Sequence, residues 1–193
     1  MSFYEEIKKS TDILKKGKSL LYPTDTVWGL GCDAFNIHAI KKICKIKNRD
    51  FSKSMIVLVE SMDRLHQLVG NITNITRKII LDNFIKKKPI TIVYDHVNVS
   101  KIKIGSNLKN DTLAVRLTHD PFCVCLIRNF DSPIISTSAN LSGFAAPTSF
   151  SEINSFIVKK IDYAVNFRRK EIATYSSSSI IKIVSNKVKI LRM

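Results

Sequence analysis

An apolar strand that runs straight into uncharged hydroxyls is the strongest constraint on how this chain folds. Pro133-Ile134-Ile135 reads as the end of a buried strand. Ser136-Thr137-Ser138-Ala139-Asn140-Leu141-Ser142-Gly143 follows it with hydroxyls, an amide, no charge and a closing glycine. Compact donors and acceptors leaving a strand end belong at the carboxyl edge of a sheet, where α/β folds bind ligands. The same residues also make an ordinary strand-to-helix turn, because Ser, Asn and Gly are turn formers.

The rest of the chain suits a mixed α/β domain. With 193 residues and 45% hydrophobic content, there is enough apolar surface for one well-buried core. No apolar run approaches the roughly 20 residues that span a bilayer. Met1-Ser2-Phe3-Tyr4-Glu5-Glu6 lacks the basic start and apolar stretch of a secretory signal. The expectation is a cytoplasmic protein with no membrane association. Cys32, Cys44, Cys123 and Cys125 form no C-x-x-C pair and sit mostly among apolar neighbours, so reduced core thiols are expected rather than zinc or a disulfide. The formal net charge of +15 attracts polyanions. Lysine is spread along the whole chain, however, so the charge favours an anionic ligand without choosing between a nucleotide and RNA.

Local signals order the elements. Ser2 and Glu5 have capping-box spacing for a first helix that Gly17 can end. Ser19–Tyr22 is a short strand stopped by Pro23. Asn36 caps a second helix with Ala39, Ile40, Ile43, Cys44 and Ile46 on its apolar side. Met55–Val59 is a buried strand, one or two helices fill Met62–Ile85, and Ile90–Tyr94 and Thr112–Leu117 are strands. Asp95–Asn110 reads as a connecting loop in which Ile102 and Ile104 pair briefly. Asp120-Pro121 supplies N-cap and first-turn chemistry for a helix to about Asn129. Ser149-Phe150-Ser151-Glu152 reads as a second capping box. Ile161–Val165, Ser179–Val184 and Val188–Leu191 are closing strands, the last two turning at Ser185-Asn186. No repeat, linker or composition break divides residues 1–193, which are expected to form one domain.

Three further features carry chemistry. Pro23-Thr24-Asp25-Thr26-Val27-Trp28-Gly29-Leu30-Gly31 again ends a strand in hydroxyls. It reads either as a ligand loop or as a glycine-bearing turn with Trp28 over the core. Lys47-Asn48-Arg49 with Lys53 can match a polyphosphate, or can form a solvated basic helix end. Arg116 follows Leu113-Ala114-Val115 inside an apolar strand, where a cation needs an anionic partner, ligand or side chain. P-loop, dinucleotide fingerprint, G-x-S-x-G elbow and Cys/His signatures are missing, and the four histidines show no metal-ligand spacing. Cations and hydroxyls without a nucleophile suit phosphoryl or nucleotidyl transfer, in which positioning and charge neutralisation supply most of the catalysis.

Taken in order, Pro23–Ala34, Lys47-x-Arg49, Ala114-Val115-Arg116 and Ser136–Gly143 resemble the YrdC/Sua5 family over nearly the whole chain, from Tyr4 to Arg192. The resemblance implies a twisted, mostly exposed open sheet of mixed parallel and antiparallel strands flanked by helices. It implies the short YrdC-type form without the C-terminal Sua5 domain. The implied activity joins L-threonine, bicarbonate and ATP into threonylcarbamoyl-AMP with release of pyrophosphate. The product would feed N6-threonylcarbamoylation of adenosine 37 in tRNAs that read ANN codons, through a downstream transferase.

Carried over motif by motif, Thr26, Arg116, Ser138 and Ser178 would hold threonine. Arg49, Lys53, Thr112, Asn140, Thr148 and Arg192 would contact ATP. Lys47 and Arg49 would be catalytic, neutralising phosphate charge together with Mg²⁺ brought by ATP, with no metal ligand from protein side chains. Contact with tRNA or double-stranded RNA is also implied, and a non-enzymatic RNA-binding or ribosome maturation factor is the rival reading. The chain departs from the family in several places, among them Met193 where a glycine commonly follows the arginine at 192. Trp28 replaces Tyr or Phe, Lys86-Lys87-Lys88-Pro89 replaces Trp-Pro-Gly-Pro, and the C-terminal Ser-Thr pair appears as Ser178-Ser179 within a serine run.

Overall fold

Nine strands hydrogen-bond side by side into one mixed sheet in the order β7-β1-β2-β6-β3-β5-β4-β8-β9. They are β1 (Leu20–Tyr22), β2 (Gly29–Asp33), β3 (Ile56–Val59), β4 (Ile90–Tyr94), β5 (Leu113–Leu117), β6 (Ile134–Ser138), β7 (Tyr163–Ala164), β8 (Ser179–Val184) and β9 (Lys187–Arg192). The helices are α1 (Phe3–Lys15), α2 (Ile37–Lys47), α3 (Met62–Val69), α4 (Asn74–Ile85), α5 (Pro121–Phe130) and α6 (Ser155–Lys160). This computed structural model describes residues 2–51, 53, 55–95, 112–173, 175, 177–184 and 187–193. The Ile102/Ile104 pairing and the Ser185-Asn186 turn expected from the sequence lie outside the described residues, as does Ser176 of the serine run.

Alternation along the strands sorts the core onto two faces. Leu20 and Tyr22 of β1, Leu58 of β3 and Ile134 of β6 pack with Ile7 and Leu14 of α1 and with Phe122, Leu126 and Ile127 of α5. Their neighbours Leu21, Val57, Val59 and Ile135 pack with α2, α3 and α6 through Ile40, Ile43, Leu65, Leu68 and Ile157. Helices therefore cover both faces of the β1-β2-β6-β3 half. The resemblance implied a mostly exposed sheet, yet only the far end fits that description: every residue of β9 is exposed.

Local capping does what the sequence implied at most helix starts. Ser2 and Glu5 form a complete capping box, Asn36 Oδ1 accepts from His38 and Ala39, and Asp120 Oδ1 accepts from Cys123. Ser149 is the exception. It makes no side-chain cap, only a 3-10 turn follows at Phe150–Glu152, and α6 starts later behind Asn154. The Glu152 carboxylate accepts instead from the Thr148 amide at 2.7 Å and the Thr148 hydroxyl at 2.9 Å.

The larger departure is β2. Gly29-Leu30-Gly31 read as the end of a ligand loop or glycine-bearing turn, but they begin the central strand Gly29–Asp33, paired with β1 and β6. A Cβ on Gly31 would lie 2.5 Å from the Ile135 carbonyl oxygen and 2.6 Å from the Tyr22 ring. Glycine is needed there because the backbones of β2 and β6 and a buried tyrosine meet without room for a side chain.

Candidate active site

The hydroxyl segment is half strand. Ser136, Thr137 and Ser138 complete β6, paired with Gly31, Leu30 and Gly29, and only the residues after Ser138 leave the sheet. The Ala139 amide donates to the Trp28 carbonyl at 2.9 Å, so the end of β6 is tied to the start of β2. This brings the hydroxyls of β6 beside the Pro23–Val27 loop.

That loop is locked by one hydroxyl. Thr24 Oγ1 donates to the Val27 carbonyl at 2.7 Å and accepts from the Thr26 amide at 3.0 Å. It presents Asp25 and Thr26 to Arg116 on β5. The Arg116 guanidinium lies 3.1 Å from Asp25 Oδ1 and donates to Thr26 Oγ1 at 3.3 Å. Both side chains of the ion pair are almost completely buried, 5% exposed for Arg116 and 1% for Asp25. Asp25 Oδ2 also faces Thr118 Oγ1 at 3.4 Å and His119 Nδ1 at 3.5 Å. The anionic partner that Arg116 required is thus a residue of the first motif. Sequence reading passed over Asp25, although an acid between two threonines and upstream of a buried-strand arginine was the available signal.

A cavity of about 370 Å³ opens here, lined by Thr26, Arg49, Arg116, Ser136, Ser138, Asn140, Ser178 and Arg192 among others. Its described lining carries three guanidiniums and no carboxylate. Arg49 reaches it because Asn48 adopts a left-handed conformation, φ 49°, at the end of α2 and turns the chain back so that the Arg49 amide donates to the Cys44 carbonyl. Arg192, from the last strand, holds the Ser178 carbonyl through Nε at 3.2 Å and Nη2 at 2.9 Å. Burial, and then Arg116, lowers the Arg192 pKa. Ser178 is itself buried, and its hydroxyl shares a 2.7 Å hydrogen bond with Thr91. Ser177 and Ser178 both line the cavity, and Ser179 opens β8.

Other expected site residues fall elsewhere. Lys47 was expected near the phosphates, but it is 2% exposed and does not line the cavity. Its Nζ donates to the Ser138 carbonyl, to the Asn140 carbonyl at 2.6 Å and to Asn140 Oδ1 at 3.3 Å, and its own carbonyl accepts from Ser142. Burial, reinforced by Arg49, pushes its pKa down to about 8. Lys47 is a strut under the loop that carries Asn140. Lys53 is exposed in the turn after α2, and Thr112 precedes β5; neither is among the lining residues.

Thr148 lines a second cavity, about 620 Å³, which shares Thr24, Thr26 and Val27 with the first and is walled by Trp28, Phe122, Phe167, His119 and Arg168. This is the larger of the two, but the arginine, hydroxyl and amide groups converge in the smaller one. Burial raises the pKa of the Cys32, Cys44 and Cys123 thiols, so these remain protonated and poor nucleophiles. Among the described residues no helix is long and apolar enough to cross a membrane.

Comparison with known proteins bears on the family and the fold. A family model described as Sua5_yciO_yrdC, telomere recombination, matches residues 12–193. A protein of Acinetobacter baumannii named threonylcarbamoyl-AMP synthase is 31% identical over 159 residues, covering 81% of this chain and 84% of that one. A Sua5 variant from P. abyssi superposes with a TM-score of 0.85 at 25% identity over all of this chain and 57% of its own. P. abyssi Sua5 complexed with L-threonine gives 0.80 at 24% identity, covering 100% of this chain and 54% of the other. The chain therefore spans little more than half the length of these Sua5 structures. Family match, shared fold and an arginine-lined hydroxyl site together place this chain in the Sua5/YciO/YrdC family.

Proposed function

We propose that this chain is a threonylcarbamoyl-AMP synthase, acting as one domain over residues 1–193. The observation that carries the reading is the convergence of Arg49, Arg116 and Arg192 with the Ser138/Asn140 strand end in one cavity whose described lining holds no cysteine, histidine or carboxylate. Such a wall suits a reaction between two anionic partners, because the protein need only position them and neutralise charge. Threonine's amine takes up bicarbonate-derived carbon dioxide, and the resulting carbamate oxygen attacks the α-phosphorus of ATP as pyrophosphate leaves. The name and bound ligand of the relatives support the same substrates.

Arg116, backed by Asp25, takes the threonine carboxylate, with Thr26, Ser138 and Ser178 as its polar surroundings. Arg49, Lys53 and Arg192 meet the phosphates, while Asn140, Thr112 and Thr148 contact the nucleotide. Lys47 serves by holding Ser138 and Asn140 in register rather than by touching phosphate. Mg²⁺ enters with ATP as part of that substrate. The cavity wall offers it hydroxyls and an amide, and among the described residues no group of three or more His, Cys, Asp or Glu gathers to hold a metal. The product serves threonylcarbamoylation of adenosine 37 in ANN-decoding tRNAs by a downstream transferase, in the cytoplasm.

The test is pyrophosphate release by the purified protein with ATP, Mg²⁺, bicarbonate and threonine, each omitted in turn. Release that needs all four is expected. Release that ignores threonine sinks the reading, as would wild-type rates in either Arg49→Ala or Arg116→Ala.

A further inference from the structure

We infer that Asp25 is a positioning residue for the amino-acid substrate: it fixes the Arg116 guanidinium in the orientation that receives the carboxylate. This rests on the reading of the cavity as a threonine site.

Arg116 has long torsional freedom, and a single guanidinium set on a strand would sample several rotamers. Here two consecutive residues of one loop grip it. Asp25 Oδ1 lies 3.1 Å from Nη2, and Thr26 Oγ1 accepts from Nη1 at 3.3 Å. The loop is itself held by the Thr24 hydroxyl, so the grip is rigid before any ligand arrives. Asp25 Oδ1 meets the guanidinium as a charge contact and not an aligned hydrogen bond, and both it and Arg116 Nε are buried without a hydrogen-bond partner. A buried guanidinium that keeps one donor unmade is set for a ligand, because leaving such a group unsatisfied is costly.

Asp25 is held from its other oxygen too, by Thr118 Oγ1 at 3.4 Å and His119 Nδ1 at 3.5 Å, both on the turn that follows Arg116 on β5. At 1% exposure its carboxylate is closed to solvent; Asp25 is absent from the lining of the smaller cavity, although it borders the larger one, so on a ligand in the smaller cavity it acts through the arginine. Simple stabilisation is a poor account of such a pair, since a buried ion pair is often no better for stability than apolar residues of the same volume. Orientation is the better account. A carboxylate clamp displaced by about 1 Å costs on the order of a hundredfold.

The test compares threonine and ATP sites in the same variants. Asp25→Asn is expected to raise the threonine Kd, measured by calorimetric titration, and the threonine KM by about a hundredfold, with kcat at saturating threonine changed far less. Affinity for a non-hydrolysable ATP analogue stays within about twofold of the parent protein, a split that a general loss of structure would not produce. Asp25→Glu keeps the charge and hence the fold while moving the carboxylate by a methylene, and gives the same split at about tenfold. In the double variant Asp25→Asn with Arg116→Gln, threonine binds no more weakly than in Arg116→Gln alone, because the effect runs through the arginine.

An unchanged threonine KM in both Asp25 variants overturns the proposal. So does parallel weakening of threonine and the ATP analogue, or losses that multiply in the double variant. A parent protein that binds no threonine overturns the reading of the site itself, which separates the two failures.

Discussion

Replacing Lys47 by methionine tests whether the buried ammonium holds the substrate loop. Lys47→Met keeps most of the side-chain volume and removes one charge and its donors. In the folded protein those donors reach the Ser138 carbonyl, the Asn140 carbonyl and Asn140 Oδ1. Charge-assisted hydrogen bonds contribute about 1.5–3 kcal/mol each, against which stands the desolvation of the ammonium. Burial has lowered its pKa from 10.5 to about 8, which corresponds to about 3 kcal/mol. The net loss at pH 7 is therefore expected to be about 2–4 kcal/mol, or roughly 5–15 °C in Tm for a chain of this size.

The pH dependence provides the sharper check. Below pH 8 both folded and unfolded states hold the Lys47 proton, and the burial penalty is fully present. Between about 8 and 10.5 the unfolded chain binds more protons than the folded one, so parent stability rises with pH relative to the methionine variant. Urea titrations of both proteins at pH 7, 8, 9 and 10 should show the stability gap widening by up to about 3 kcal/mol. Titration of groups that do not interact with Lys47 cancels in the difference, and Cys44, which does, is removed from both proteins by Cys44→Ser. A gap that is absent at pH 7 refutes the strut; a gap that is flat across the series refutes the burial penalty on the ammonium. The KM for ATP should also rise in the variant as Asn140 loosens; an unchanged value would detach the loop from the nucleotide.

Two other perturbations separate fold from site. Gly31→Ala sets a methyl 2.5 Å from the Ile135 carbonyl oxygen, so β2 and β6 must part; a loss of about 3 kcal/mol is expected, read as a fall of about 1 M in the urea midpoint. A midpoint unchanged by that methyl would show that the strands have slack. Glu6, fully buried on α1, accepts from the Tyr163 hydroxyl at 2.8 Å and the Asn166 amide at 3.1 Å. Glu6→Ala strands both donors at about 2–4 kcal/mol and lowers Tm, while the KM values for ATP and threonine stay put. A shift in either KM would place the α1–β7 joint within reach of the site.

What the sequence disclosed divides by the range of the forces involved. Helix starts at Ser2, Asn36 and Asp120-Pro121 were legible because a cap is settled within about four residues. Ser149 had the same spacing, but its hydroxyl pairs with Ser151 Oγ at 2.9 Å and makes no cap, while the Glu152 carboxylate turns mainly to Thr148. Gly29 and Gly31 misled because two glycines lower strand propensity locally, whereas the value of Gly31 lies in a backbone contact with Ile135 more than a hundred residues away.

The site residues follow the same division. Arg116 declared its need for an anion through its position in an apolar strand, but the identity of that anion, Asp25, depended on how the first loop folds over β5. Lys47 was grouped with Arg49 as a cation near the phosphates on the strength of adjacency. Its helical position contradicts this: it lies four residues after Ile43 and seven after Ile40, on the buried stripe of α2, while Arg49 lies beyond the left-handed Asn48 and escapes that stripe. Two neighbouring cations in one motif thus take different work, one beneath the Ser138–Asn140 segment and one at the cavity wall. The periodicity of α2, taken residue by residue to its last turn, was sufficient to separate them.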